Sequence, residues 1–376
     1  MRPTLLLATV VCLLAACDPQ ENASAQPSAP GERPFNVETI ADLNSPWAMT
    51  FLPDGRMLIT EKAGQLLLVS ADGKSSKPVS GVPAVMSQGQ GGLMDVVLHP
   101  AFAQNRLVYF SYSEDRGGSK GVVLARGALA DGDAPALTNV QTLFRASPYV
   151  DGNGHFSGRI AFSPDGKLFF ANGERQKFDP AQDPAATLGK VLRLNDDGTP
   201  AAGNPLAARG FHPAVWSYGH RNILGLAFDA SGNLWQQEMG PRGGDEVNVV
   251  LPGRNYGYPI VSNGTHYDGR DIPDHRPGDG FEPPKVFWDP AISPGGLMVY
   301  SGKLWPQWRG DVFIGALSGQ ALIRVDTDGT GARKGDQWPM GTRIREVEEG
   351  PDGAIWLLED GQRGAGGKVL KLTPRR

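Results

Sequence analysis

One short unit recurs six times in this chain, and it constrains the fold more than any other feature. A Pro/Asp-Gly turn leads into an apolar strand, a second turn follows, and another apolar strand completes the unit. Clear copies are FLPDGRMLITEKAGQLLLV (51–69), FSPDGKLFFANGER (162–175) continuing to GKVLRLNDDG (189–198), FDASGNLWQQE (228–238) with DEVNVV (245–250), and GPDGAIWLLED (350–360) with GKVLKL (367–372). Weaker copies are NRLVYFSYSE (105–114) with GVVLARGAL (121–129), and RGDVFIGALSGQALIRVDTDG (309–329). In each, Val, Leu, Ile, Phe and Trp alternate or run in short blocks, as half-buried or buried strands do. Six units over about 340 residues give roughly 57 each, near the roughly 40–50 of propeller blades once loops are added. The pattern predicts an all-β chain folded as a six-bladed β-propeller. A β-sandwich of this length would be unusually large, and a βαβ fold needs helical stretches that are not apparent.

Composition agrees with a turn-rich β protein. Gly supplies 50 and Pro 31 of 376 residues, roughly 13% and 8% against ordinary values of about 7% and 5%. A hydrophobic share of 40% still allows a large core, which argues against disorder. Gly keeps no three-residue period, so collagen is excluded. The net charge of −4 shows no electrostatic footprint for nucleic acid. One stretch breaks the rhythm: 252–294 is long, rich in Pro and Gly, and carries His266, Tyr267, Asp268, Asp271, Asp274 and His275. Loops of that length are usually functional or mobile, and this one is expected to overhang one face of the ring.

The first 16 residues read as an export signal, with Arg2 before an apolar run too short to span a bilayer. The run ends in Leu14-Ala15-Ala16-Cys17, which looks like a bacterial lipobox, with cleavage before Cys17 and lipidation of its thiol. The plainer alternative is an ordinary small-residue cleavage site with an incidental cysteine. On the lipobox reading Cys12 leaves with the signal and Cys17 becomes the anchor, so no disulfide can form in an oxidising compartment. Residues 17–34 then form the lipidated cysteine and a flexible tether, and 35–376 the propeller. The expected location is the periplasmic side of the bacterial membrane, with Asp18, by resemblance to enterobacterial sorting rules, implying the inner membrane.

Several clusters carry chemistry. Gln90 lies in the glycine-rich turn 87–93, where a ligand can approach the backbone closely, or where the chain simply turns between blades. His155, among small residues at a strand entrance, is read as accessible and able to act as a base near neutral pH; a surface-turn histidine is the plainer reading. Arg221 and Asn222 directly precede an apolar run and offer cation and amide donors to an anionic or carbonyl-bearing ligand, or pair with acidic neighbours on the surface. The bend from Glu238 to Glu246 is acidic and glycine-rich, and its Gly240-Pro241 step can present carbonyls to a hard cation such as calcium. Arg343 and Arg345 fall on one face of a strand and can clamp carboxylates, or pair with Glu346, Glu348 or Glu349. The histidines show no close-spaced pairing that would favour zinc.

Seven segments together resemble the glucose/sorbosone dehydrogenase family, the PQQ-dependent aldose sugar dehydrogenases and soluble glucose dehydrogenase. They are PWAMTFLPDGRMLITE, GQGGLMDVVLHPAF, HFSGRIAFSPDGKLFF, SYGHRN, EMGPRGGDEVN, GRNYGYP and RIREVEEGPDG, running in the family's order from 46 to 353. The resemblance implies a six-bladed propeller that holds PQQ and calcium in a cleft and oxidises the anomeric hydroxyl of an aldose to the lactone. His155 matches the catalytic base and Glu174 an acidic residue near it. Gln90, Arg221 and Asn222 match residues facing PQQ, with Arg221 near its reactive carbonyl, and Arg343 and Arg345 match the pair that holds its carboxylates. Gly240 and Pro241 match the carbonyl ligands of the catalytic calcium, and Glu246 and Tyr256 ligands of a second, structural one. Electrons would pass to a respiratory or dye acceptor. Three positions depart from the family pattern: Leu224 for a polar Gln, Ser318 for a PQQ-binding Lys, and Gly154 for an Asp before the base. Two rival readings are a non-redox propeller that binds a ligand or partner protein, and a calcium-dependent lactonase. The lactonase needs carboxylates converging on the central channel, and none is apparent in the sequence.

Overall fold

The computed structural model describes residues 33–130, 132–361 and 365–375. The export signal, Cys17 and almost all of the tether lie outside the described residues. Six four-stranded antiparallel sheets follow one another along the chain. Blade 1 takes Pro46–Phe51, Met57–Glu61, Gln65–Val69 and Ser76–Val79; blade 2 takes Leu93–Leu98, Leu107–Arg116, Ser119–Ala130 and Ala136–Arg145. Blade 3 takes Ser157–Phe162, Leu168–Asn172, Lys190–Leu194 and Val215–Tyr218; blade 4 takes Ile223–Phe228, Leu234–Glu238, Asp245–Val249 and Val286–Trp288. Blade 5 takes Pro294–Val299, Val312–Ala316, Ala321–Asp328 and Gly331–Pro339. Blade 6 is built from Ile344–Glu349, Ile355–Glu359 and Lys368–Pro374, and its fourth strand is the N-terminal Phe35–Asp42. The chain therefore closes on itself, with Phe35 opposite Pro374 and Asp42 opposite Lys368.

All six sequence units fall in the hairpins that form the second and third strands of the blades. Their turns are alike for a steric reason: Gly55, Gly166, Gly232 and Gly353 have φ of 86, 79, 85 and 86°, a region that costs a side-chain-bearing residue strain. Apolar clusters fill the spaces between neighbouring blades. Ile355 and Leu357 pack toward blade 5, while Trp356 and Leu358 pack toward blade 1. Successive residues thus face opposite neighbours, and both sides of the strand are buried. That is why these strands read as apolar runs as well as alternations.

The stretch 252–294 is more ordered than its composition suggests. Its end, Val286–Trp288, is the outer strand of blade 4, and Gly264–Thr265 pairs with Arg242–Gly243 in a small separate ribbon. Short strands of two and three residues give too little periodicity to be seen in the sequence.

The first strands of the blades touch in order around the axis, blade 6 meeting blade 1. Each carries one surplus residue near its start relative to its partner strand. The register shifts lie between Pro46 and Ala48, Leu93 and Val96, Ser157 and Ile160, Ile223 and Gly225, Pro294 and Leu297, and Ile344 and Glu346. Such bulges re-aim side chains, here toward the axis.

On that axis Arg159 of blade 3 joins four other blades. Its Nη1 bonds Asp95 of blade 2 at 3.2 Å and Glu346 of blade 6, its Nε donates to Leu224 O of blade 4 at 2.7 Å, and its guanidinium lies 4.2 Å from the Trp47 ring of blade 1. Gly296 of blade 5 leaves the space that Glu346 fills. Carboxylates therefore do converge on the channel, contrary to the sequence expectation, but a guanidinium lies among them. Asp95 and Glu346 stand far apart in sequence, and only ring closure brings them together.

Candidate active site

Above this hub, the bulged strand starts open into a cavity of about 320 Å³. Trp47, Leu224 and Leu317 give it apolar walls, and Lys62, Gln90, Asn222, Arg343, Arg345 and Asp360 give it a polar, net cationic lining. Leu224 thus supplies an apolar surface where the family resemblance led to a polar side chain. Arg343 and Arg345 do converge, but neither pairs with Glu346, Glu348 or Glu349. Asp360 holds both: it accepts from Arg343 Nε at 2.8 Å and from Arg345 Nε and Nη2 at 2.9 and 2.7 Å. Glu346 turns to Arg159, and Glu349 bonds Ser301. The bulge at Arg345 breaks the strand parity on which the sequence expectation rested.

His155 is 5% exposed, so it is buried rather than accessible as the sequence suggested. Its backbone sits at φ 51°, and its N–H donates to Gln90 Oε1 at 2.6 Å. Nδ1 meets Glu174 Oε1, while Glu174 Oε2 accepts from the backbone of Lys177 and Phe178 at 2.6 and 2.8 Å. Glu174 N in turn donates to Arg221 O at 2.9 Å. Gln90, His155, Glu174 and Arg221 are thereby joined in one hydrogen-bonded line. Burial pushes the His155 pKa below the ordinary histidine value, favouring the neutral ring. Burial alone would raise Glu174, but its hydrogen bond with His155, helped by the backbone N–H of Phe178, outweighs that and holds it below the usual carboxylate value. An ionised Glu174 places the proton on Nδ1 and leaves the Nε2 lone pair free.

Arg221 and Asn222 are positioned by a residue that has no role of its own in the sequence reading. Glu238 Oε2 accepts from both of their backbone N–H groups, and Oε1 accepts from Gln236 Nε2 at 3.0 Å and meets His220 Nδ1 at 3.1 Å. His220 Nε2 lies 2.8 Å from Ser217 Oγ, so Ser217, His220 and Glu238 form a serine–histidine–carboxylate line. All three are buried, which keeps them from substrate and makes the line a scaffold. Arg221 Nη1 donates to Met239 O at 2.9 Å and Nη2 to Tyr267 Oη at 3.3 Å; its Nε and Asn222 Oδ1 are buried without a partner. Orphaned polar atoms beside a cavity await a ligand group.

The Gly240-Pro241 bend is folded tightly: a Cβ on Gly240 would lie 2.2 Å from Gly243 O. Asp245 holds it, accepting from Gly240 N at 2.8 Å and from Ile292 and Ser293 N at 2.7 Å each, and burial pushes its pKa up to about 6. Among the described residues no donor reaches the carbonyls of Gly240 or Pro241. Two unsatisfied carbonyls suit a hard cation, which takes oxygen ligands. No group of three or more His, Cys, Asp or Glu side chains suited to a metal occurs among the described residues, so a cation here would depend on carbonyl oxygens. Glu246 faces Glu238 across the strand pair, and burial followed by the charge of Glu238 raises its pKa. The Tyr256 hydroxyl already donates to Val249 O at 2.5 Å and accepts from Leu251 N at 2.7 Å, so only its backbone oxygen remains to offer a metal.

A second cavity, about 200 Å³, adjoins the first across the same three chain segments. His155, Arg221 and Pro241 line it, whereas Phe156, Asn222 and Met239 line the first. Phe178, Tyr258, His266 and Tyr267 make it aromatic, so part of the 252–294 stretch does cover the site. Gln176 also lines it, and its amide fills the space at Gly154: a Cβ there would lie 2.4 Å from Gln176 Oε1. Ser318 is exposed, bonds Ser293 Oγ at 2.8 Å and does not line the first cavity. Lys62, Gln176, Glu238, Asp245 and Asp360 are among the residues of this site without a role in the sequence reading. Asp360 offered one signal, ending the last turn-strand unit beside the two arginines.

Comparison with known proteins identifies the family. The model of the glucose / sorbosone dehydrogenase family matches residues 43–371. The chain is 39% identical to aldose sugar dehydrogenase YliI of Escherichia coli over 100% of its own length and 99% of that protein. Its fold is similar to the apo crystal structure of the soluble aldose sugar dehydrogenase from Escherichia coli, with a TM-score of 0.86 and 40% identity over 91% of this chain and 100% of that one. It is also similar to the PQQ-bound aldose sugar dehydrogenase of Streptomyces coelicolor, with a TM-score of 0.75 and 30% identity over 92% of this chain and 100% of that one. The chain belongs to the glucose/sorbosone dehydrogenase family.

Proposed function

We propose that this protein is a PQQ- and calcium-dependent aldose dehydrogenase that converts the anomeric hydroxyl of a sugar to the lactone and passes the electrons to a respiratory or dye acceptor. Relatives named as aldose sugar dehydrogenases, one of them PQQ-bound, support sugar oxidation. The observation that carries the reading is the pairing of a cationic cavity with a neutral, anchored His155 across one seam. PQQ is a flat tricarboxylate, and the residues fit it. Arg343 and Arg345 would hold carboxylates, Gln90 and Asn222 offer amide groups, and Trp47 and Leu224 offer apolar surface.

When bound, PQQ supplies the two-electron acceptor, and calcium on the Gly240 and Pro241 carbonyls supplies Lewis acidity. Nε2 of His155 takes the proton of the anomeric hydroxyl, while Glu174 fixes the ring and its tautomer and balances the imidazolium charge. Arg221, held by Glu238 and Met239 O, presents fixed positive charge where negative charge develops. The aromatic second cavity admits the sugar and excludes water around His155. Export as a lipoprotein through Cys17 belongs to the same reading, because it would place the enzyme beside membrane-bound acceptors.

The test is reconstitution. Purified apo-protein with added PQQ and calcium should reduce a dye when given aldoses, and His155→Ala should abolish turnover while PQQ still binds. Absence of both activity and PQQ binding in the wild-type protein would favour the non-redox binding propeller instead.

A further inference from the structure

The cationic cavity holds a charge that no family position assigned. Arg343 and Arg345 share one carboxylate, Asp360, which cancels one of their two charges. Lys62, from the turn between the second and third strands of blade 1, lines the same cavity and has no carboxylate within ion-pair distance among the described residues. Among the described residues its Nζ donates only to Gly89 O, at 2.5 Å, in the turn that carries Gln90. Its backbone is fixed on both sides: Lys62 N donates to Ser45 O at 3.0 Å, and Leu93 N donates to Lys62 O at 3.2 Å. Close approach to Gly92 secures the second contact, since a Cβ there would lie 2.3 Å from Lys62 O. Ser45 Oγ, on the same wall, is buried without a partner.

A half-buried ammonium beside a guanidinium is unfavourable unless an anion joins them. Burial, and then the charge of Arg345, lower the Lys62 pKa, against the opposing pull of Asp360. Two blades away, Ser318 carries no charge, bonds Ser293 and does not line the cavity. We propose that Lys62 provides the third positive charge for the tricarboxylate cofactor, moved from blade 5, where Ser318 stands, to blade 1. This inference rests on the proposed PQQ-dependent function. With Lys62, Arg343 and Arg345 on one cavity, the cationic side chains equal the ligand's carboxylates in number, and the apolar faces of Trp47 and Leu224 are left for its ring system.

Equilibrium binding tests it without turnover. Apo-protein is titrated with PQQ, followed by intrinsic fluorescence and by calorimetry, in low salt and in ~0.5 M salt. Lys62→Met is expected to raise Kd about 10-fold to 100-fold and to flatten the salt dependence. Lys62→Arg should retain most of the affinity, and Ser318→Lys in the Lys62→Met background should recover part of it. The thermal midpoint of the apo-protein controls for folding. Binding by correctly folded Lys62→Met within about twofold of wild type, with the same salt dependence, overturns the assignment. If the wild-type protein binds no PQQ, the cofactor reading itself falls and the inference falls with it.

Discussion

The carboxylate of Glu174 meets Nδ1 of His155 with one oxygen and caps its own loop with the other. The base and the loop carrying Gln176 and Phe178 are therefore held by one group. Glu174→Gln should keep the fold and lower kcat by about 10²–10⁴-fold through loss of tautomer and charge balance. In the wild-type protein kcat/KM should fall as pH drops through a midpoint below the ordinary histidine value of 6.5, because His155 must be neutral. Glu174 raises the His155 pKa, so Glu174→Gln should move that limb to still lower pH. A pH–rate profile unchanged in position and height would refute the pairing.

Asp360 keeps two guanidiniums together in the absence of any anion. Asp360→Asn should destabilise the apo-protein by about 1–3 kcal/mol, the cost of leaving charged hydrogen bonds unmade. Added PQQ should then raise the melting temperature by more than it does in the wild type, since its carboxylates replace the lost charge. Thermal melts with and without PQQ give both values. An equal or smaller PQQ increment would count against the role of the arginines.

Glu238 acts on Arg221 and Asn222 through their backbone. Glu238→Gln turns one acceptor into a donor facing N–H groups, at a cost of roughly 1–3 kcal/mol. Sugar turnover should drop through kcat, and a crystal structure of the variant should show the 220–222 segment displaced. Wild-type kcat with Arg221 unmoved would make the Glu238 contacts incidental.

The hub on the axis gives stability a pH signature. Burial lifts Glu346 to about 7 from an ordinary 4.5. A raised carboxyl contributes stability that is full below about pH 4.5 and is lost as pH rises through about 7, on the order of 3 kcal/mol in all. The melting temperature should fall from pH 5 to pH 8, and Glu346→Gln should fall less over the same range. Arg159→Met leaves Asp95 and Glu346 buried without their cation and should cost about 3–5 kcal/mol. Parallel pH slopes for wild type and Glu346→Gln would show that Glu346 keeps its charge throughout.

The blades were legible because turn chemistry and apolar strands are local signals, and each of the six units falls on a hairpin. What escaped was set by the ring. The innermost strands carry bulges that shift parity at Arg345, and Asp360 reaches the two arginines from the end of the neighbouring strand. His155 is buried where its sequence neighbours suggest an accessible turn, because the small residues around it say nothing of Glu174 folding over it from 19 residues away. Arg159 meets Glu346 across 187 residues, and no local window spans that distance. The three family-deviant positions also needed the structure: Leu224 lines the cavity, Ser318 bonds Ser293 and does not line it, and the space at Gly154 is taken by Gln176.

The surplus residue at each inner strand start lets the protein vary chemistry separately from architecture. Trp47, Leu224 and Arg345 occupy three of those positions at the cavity, while the blade 2 and blade 3 bulges supply Asp95 and Arg159 to the hub beneath. Below each bulge the strand pairing resumes in regular register, so a changed side chain there does not require the hairpin to be respelled. The ring is in this sense a dial with one setting per blade. A new ligand preference can arise by turning one setting at a time, with the scaffold beneath left as it is.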